Sequence, residues 1–153
     1  MTILTNAPIW VWPVFLLLLM LGLRATRDRK APLALILALP LLGVLSIRTL
    51  AGLPAPVWGW AVWGGALILG GVLGAKLQSR WLIEREGWTV TLRGEWLTLT
   101  TMMFIFWSNF ATGMLQAVAP QILTAPGFVA GLACTLGLCS GSFLGRAIRT
   151  LRT

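Results

Sequence analysis

Histidine is absent from the 153 residues, and only four are acidic. The first absence removes the commonest metal ligand, the usual haem ligand and the usual general base near neutral pH. His-ligated cofactors are excluded, and no cofactor or metal site is expected. Charge of either sign is scarce: 10% of the chain is charged, against roughly 25% in a soluble globular domain. So little polar surface will not coat a water-soluble ball. Cysteine is scarce too. Cys134 and Cys139 stand about 140° apart around a helix. They read as buried thiols acting as small hydrophobes, and a secreted disulfide scaffold is excluded.

What is abundant is hydrocarbon. The chain is 58% hydrophobic, with a mean hydropathy of +0.86. Its 12 basic residues, net charge +8, sit in short islands between long apolar runs. A disordered tail or a soluble nucleic-acid binder would not attach its charge to hydrocarbon-seeking segments. The reading is a single-domain integral membrane protein. Windows of about 19 residues give five spans, at 8–23, 31–53, 56–75, 96–119 and 126–149. Asn6 is read as a cap for the first and Thr124 for the last. Pro40 falls inside the second, where it bends the helix. The predicted fold is an all-α bundle of five transmembrane helices.

The basic residues then set an orientation, because short loops rich in Lys and Arg stay on the cytoplasmic side. Arg24, Arg27, Arg29 and Lys30 follow the first span, Lys76, Arg80, Arg85 and Arg93 lie between the third and fourth, and Arg146, Arg149 and Arg152 close the chain. The intervening connections carry no charge. This pattern predicts the N-terminus outside and the C-terminus in the cytoplasm. No basic residue precedes the first apolar core, which reads as an uncleaved anchor rather than a signal peptide. Trp10, Trp12, Trp58 and Trp60 are expected at the outer interface and Trp81, Trp88 and Trp96 at the inner one, with Trp63 and Trp107 deeper. The excess charge reads as attraction to anionic headgroups through Arg24, Arg27, Arg29, Lys30, Arg146, Arg149 and Arg152. It does not call for nucleic acid.

Between the third and fourth spans, residues 88–92 alternate large apolar and polar side chains after a turn at Glu86-Gly87, as a short strand would. A small hairpin on the cytoplasmic face is expected there. Glu95, just ahead of the fourth span, suits the positive end of that helix.

Two features are candidates for function. Helices in lipid pack closely through small residues four apart, and the fifth span carries Ala133, Gly137, Gly141 and Gly145 in one row, with Gly70 and Gly74 in the same relation on the third. Such rows pack helices of one chain together, or serve a homo-oligomer or a docking face for another membrane protein. The second feature is Arg48, about 25 Å along the second span, with no carboxylate at its depth. It is read as an anchor reaching up to headgroups. Alternatively, with Asn109 and Gln116, roughly 20 Å and 30 Å from Trp96, it lines an outward polar pocket for an anionic headgroup or small anion. Ser46, Thr49, Ser108 and Thr112 are read as further lining. No phosphate-cradling glycine loop, no nucleophile beside a base and no carboxylate inside a span is found.

The opening Ile3, Leu4, Thr5, Asn6, Ala7, Pro8, Ile9, Trp10, Val11 and Trp12, and the closing Ser140 to Gly145, Arg146 and Arg152, resemble a family of small multi-spanning bacterial inner-membrane proteins without an assigned activity. The resemblance implies the bacterial inner membrane and supplies no catalytic residue. That family tends to carry a basic residue followed by tyrosine where this chain has Asn109 and Phe110. The expectation is a non-enzymatic membrane component acting through helix contacts, as a homo-oligomer or an auxiliary subunit. The alternative is a small transporter, channel or lipid-binding protein using the pocket around Arg48.

Overall fold

The computed structural model describes residues 11–53 and 56–152, and only the backbone of Arg29, Arg85 and Glu86. Asn6, Pro8, Trp10 and the rest of the opening segment lie outside the described residues. Helix α1 (Val11–Ala25) is an uninterrupted apolar run. Just beyond it, the Thr26 hydroxyl donates to the Leu23 carbonyl at 2.8 Å, satisfying one of the carbonyls a helix end leaves open.

The second apolar run is a strand followed by a helix that Pro40 interrupts. It opens as strand β1 (Arg29–Pro32), continues as α2 (Leu33–Ala38) and resumes as α3 (Leu41–Ala51). Pro40 supplies no N–H, and its ring crowds the carbonyl four residues back. The helix breaks there and restarts when Leu42 and Gly43 donate to the carbonyls of Leu39 and Pro40. Helix α4 (Val57–Trp81) runs well past the expected end at 75 and buries Gln78. Strands β2 (Leu82–Glu86) and β3 (Thr89–Leu92) follow. Gly87, with φ +56°, makes the tight turn that a side chain would disfavour.

The hairpin is therefore present, but it is two-thirds of a sheet. The order is β1-β3-β2, all antiparallel, with Ala31 opposite Val90 and Lys30 opposite Thr91. Ala31, Val90 and Leu92 bury one face of it against Leu33 and Ile36. Helix α5 (Leu97–Val118), a 3-10 turn (Pro120–Thr124) and α6 (Pro126–Leu151) complete the chain. Thr124 does not cap α6; its hydroxyl donates to the Gln121 carbonyl, and Ala125 holds the cap position.

Three helices are long and apolar enough to cross a membrane: the broken pair Leu33–Ala51, Val57–Trp81 and Pro126–Leu151. On this the chain is read as a membrane protein. The count of five meets the same measure only in part. α1 has 15 described residues. α5 has 22, but its Thr, Ser, Asn and Gln side chains dilute its apolar character.

The sheet gathers the helix ends at one pole. α1, α4 and α6 end there and α2 and α5 begin there. Glu95 N–H donates to the Ala25 carbonyl at 2.9 Å, Arg93 N–H to Trp81 at 2.9 Å, and Gly94 N–H to Asp28 Oδ1 at 2.6 Å. By chain position eleven of the 12 basic residues and all four acids belong to this pole. The charged side chain left for the opposite pole is Arg48.

The glycine rows lie inside the molecule. α4 and α6 approach so closely that a Cβ at Gly70 or Gly74 would collide with the backbone of Leu138 or Ser142. One at Gly137, Gly141 or Gly145 would collide with that of Trp63, Leu67 or Gly71. The rows form an intrachain seam, and α6 buries residues around most of its circumference. The thiols are less enclosed than the sequence implied: Cys134 is exposed and Cys139 half-buried, both free.

Candidate functional site

Two arginines mark the two poles. At the sheet pole, Arg146 is 3% exposed. This corrects its expected place among the headgroup-facing cations: its helix turns it toward α4 and α5 instead of the surface. Nη2 meets Glu95 Oε1 at 2.8 Å, Nη1 donates to Thr98 Oγ1 at 2.7 Å and Nε to Gln78 Oε1 at 3.0 Å. Thr98 Oγ1 in turn donates to Glu95 Oε1. Gln78 Nε2 donates to Thr150 Oγ1 at 3.0 Å, and Thr150 closes the ring on the Arg146 carbonyl at 2.9 Å. The indole of Trp81 covers the guanidinium at 5.4 Å, a cation–π contact the sequence reading did not foresee. Glu95 Oε2 accepts the Thr98 N–H at 2.8 Å, so it also serves the start of α5 as expected. A buried charge with each guanidinium nitrogen bonded within the protein is a fastening of three helices.

The remaining headgroup candidates are differently placed. Arg24, Arg27, Lys30, Arg149 and Arg152 are exposed at the sheet pole, and the side chain of Arg29 is outside the described atoms. Trp88 and Trp96 are exposed beside them, at 79% and 67%.

At the other pole Arg48 lies one turn before the end of α3, exposed, with no carboxylate beside it among the described residues. It rims a recess of about 350 Å³ between α3 and α5, lined also by Thr49, Asn109, Thr112, Gly113 and Gln116. The structure thus brings together Arg48, Asn109 and Gln116, residues up to 68 apart in sequence. Thr49 Oγ1 hydrogen-bonds Asn109 Oδ1, while Asn109 Nδ2 donates to the Ile105 carbonyl at 2.7 Å. Thr112 donates to the Ser108 carbonyl at 2.8 Å. The floor is therefore internally satisfied, whereas the guanidinium of Arg48 and the amide of Gln116 on the rim are not engaged by described side chains. Gly113 borders the open space of the recess, where a Cβ would meet nothing within 4 Å.

Two expected lining residues are elsewhere. Ser46 is fully buried and bonded to Ser140 at 2.8 Å, tying α3 to α6, because two residues from Arg48 is about 200° around the helix. Ser108 offers its carbonyl to Thr112 but does not line the recess. No group of three His, Cys, Asp or Glu side chains among the described residues could hold a metal ion.

No family model, curated protein or solved structure matches the chain. The functional reading rests on the residues themselves.

Proposed function

We propose that this chain is a non-enzymatic multi-pass protein of the bacterial inner membrane, crossing it five times. The sheet pole and C-terminus are cytoplasmic, and an anionic group binds outside, at the Arg48 recess. The observation that carries the reading is the unengaged guanidinium of Arg48 over a recess with a satisfied polar floor. A planar guanidinium offers five N–H donors in a fork that fits phosphate or carboxylate oxygens. With no carboxylate near it, its charge is available to an incoming anion.

The sidedness is supported by the grouping of basic residues at one pole, which in a membrane favours the cytoplasmic leaflet. The five crossings are supported by α1 and α5, which pack on each other, with α5 also against α3 and α6. Their exposed side chains include Leu16, Leu17, Met20, Phe104 and Trp107, which suit lipid.

The test is titration of the purified chain in a zwitterionic detergent with sn-glycerol 3-phosphate, followed by its intrinsic tryptophan fluorescence or by calorimetry. Saturable binding that weakens about tenfold in Arg48→Gln, the loss of one charge-assisted bond, supports the reading. Binding indifferent to Arg48, or no Arg48-dependent binding by this compound and by anionic lipid alike, rejects it.

A second reading, a homo-oligomer or auxiliary subunit, draws on α4. That helix packs mainly on α6 and leaves Ile68, Leu69, Val72 and Leu73 exposed, with Gly64 and Gly65 meeting nothing within 4 Å. A cross-linked or native-mass dimer lost in Gly65→Leu would favour it; a strict monomer would remove it.

A further inference from the structure

We infer that the anion held at Arg48 is the phosphate of an anionic glycerophospholipid, taken from the leaflet on the Arg48 side with its acyl chains lying down α3. This rests on the reading of the recess as an anion site and adds the source of the anion. Depth is the first argument. α2 and α3 together cover 19 residues, about 28 Å at 1.5 Å per residue. That matches a hydrocarbon core of about 30 Å, so Arg48, one turn from the end, lies just inside the hydrocarbon edge, where its long side chain reaches the lipid phosphates.

The surroundings give the second argument. Leu45 lines the recess itself, one turn nearer the membrane centre than Thr49. Leu41, Val44 and Leu45 continue along α3, exposed at 67%, 58% and 46%. A donor-bearing rim above an open apolar track has the polarity of an amphiphile with its head at Arg48. A free anion would use the rim alone.

The chemistry of the rim selects among lipids. Arg48 and the Gln116 amide can donate to phosphate oxygens, while no carboxylate stands near to hold the ammonium of a zwitterionic headgroup. An anionic diester such as phosphatidylglycerol fits better than phosphatidylcholine.

The experiment is native mass spectrometry of the detergent-purified full chain with dioleoylphosphatidylglycerol, dioleoylphosphatidylcholine and sn-glycerol 3-phosphate. Wild type is compared with Arg48→Gln, Gly113→Leu and, as a control at the sheet pole, Arg24→Gln. Gly113→Leu places a side chain in the recess from a position where a Cβ meets nothing within 4 Å, and unchanged melting by circular dichroism verifies each fold. The expected result is one tightly held phosphatidylglycerol, weakened about tenfold or more by Arg48→Gln and by Gly113→Leu. Arg24→Gln should change it less than about twofold, as a screened surface charge does, and phosphatidylcholine should bind more weakly. Phosphatidylglycerol binding that ignores both recess variants overturns the inference. If glycerol 3-phosphate binds with the same sensitivity to Arg48 and displaces the lipid at equal concentration, the anion site stands and the lipid source is wrong. If neither phosphate compound depends on Arg48, both readings fall.

Discussion

Arg146 and Arg48 sit on apolar helices of the same chain, and their surroundings are opposite. Arg146 is buried, with each of its guanidinium nitrogens bonded to α4, α5 or the turn before α5. Arg48 is exposed on the rim of a recess, over polar groups already bonded to one another. A charged side chain with each guanidinium nitrogen bonded within the protein holds elements together. One left with open donors above a cavity holds no such contact, and on this difference the proposed anion site rests.

The largest effect should come from breaking the satisfied pole. Arg146→Leu leaves Glu95 buried without its cation, and removing one partner of a buried pair costs about 3–5 kcal/mol. Denaturant unfolding in micelles should show this loss, and Glu95→Leu combined with Arg146→Leu should recover much of it. A double variant as unstable as the single would show that the pair is not the fastening described here. Next comes the α4–α6 seam. Gly141→Leu drives a side chain into the backbone at Leu67, an overpacking worth about 1–3 kcal/mol or more. Leu144→Ala, at a 39% exposed site, should cost far less, and equal losses would place Gly141 away from a close contact. The smallest change in stability is expected at Arg48. Arg48→Gln should shift it by no more than about 0.5 kcal/mol, as at other surface positions. A loss comparable to that of Arg146→Leu would mean that Arg48, too, is structural.

Much of this contrast can be read from composition and helix geometry. Apolar runs bounded by prolines and basic clusters locate the helices, and the alternation after Gly87 locates a hairpin. Helix rise alone puts Arg48, Asn109 and Gln116 in the same outer half of their spans, because depth in a helix follows from residue count. What sequence did not disclose was lateral: which helices stand side by side. Chain position groups Arg146 with Arg149 and Arg152 as a terminal cation, because its partners, Gln78 on α4 and Glu95 just before α5, are distant in sequence. Strand β1 was hidden because Arg29–Pro32 is four residues ending in proline, too short to show alternation, and pairs with a strand about sixty positions on. Ser46 could have been excluded from the recess by angle, since it lies on the far side of its helix from Arg48. The glycine rows pack α4 on α6 within the chain, the first of the roles that their spacing allows.

The central claim is that the two arginine poles face opposite sides of the membrane. With Cys134 and Cys139 replaced by alanine, single cysteines at Arg27→Cys, Arg149→Cys and Gln116→Cys can be challenged in intact cells with a membrane-impermeant maleimide. The account predicts labelling at position 116 alone, with 27 and 149 reacting only after the cells are opened. Labelling of 27 and 149 from opposite faces, or of 116 together with them, would contradict it.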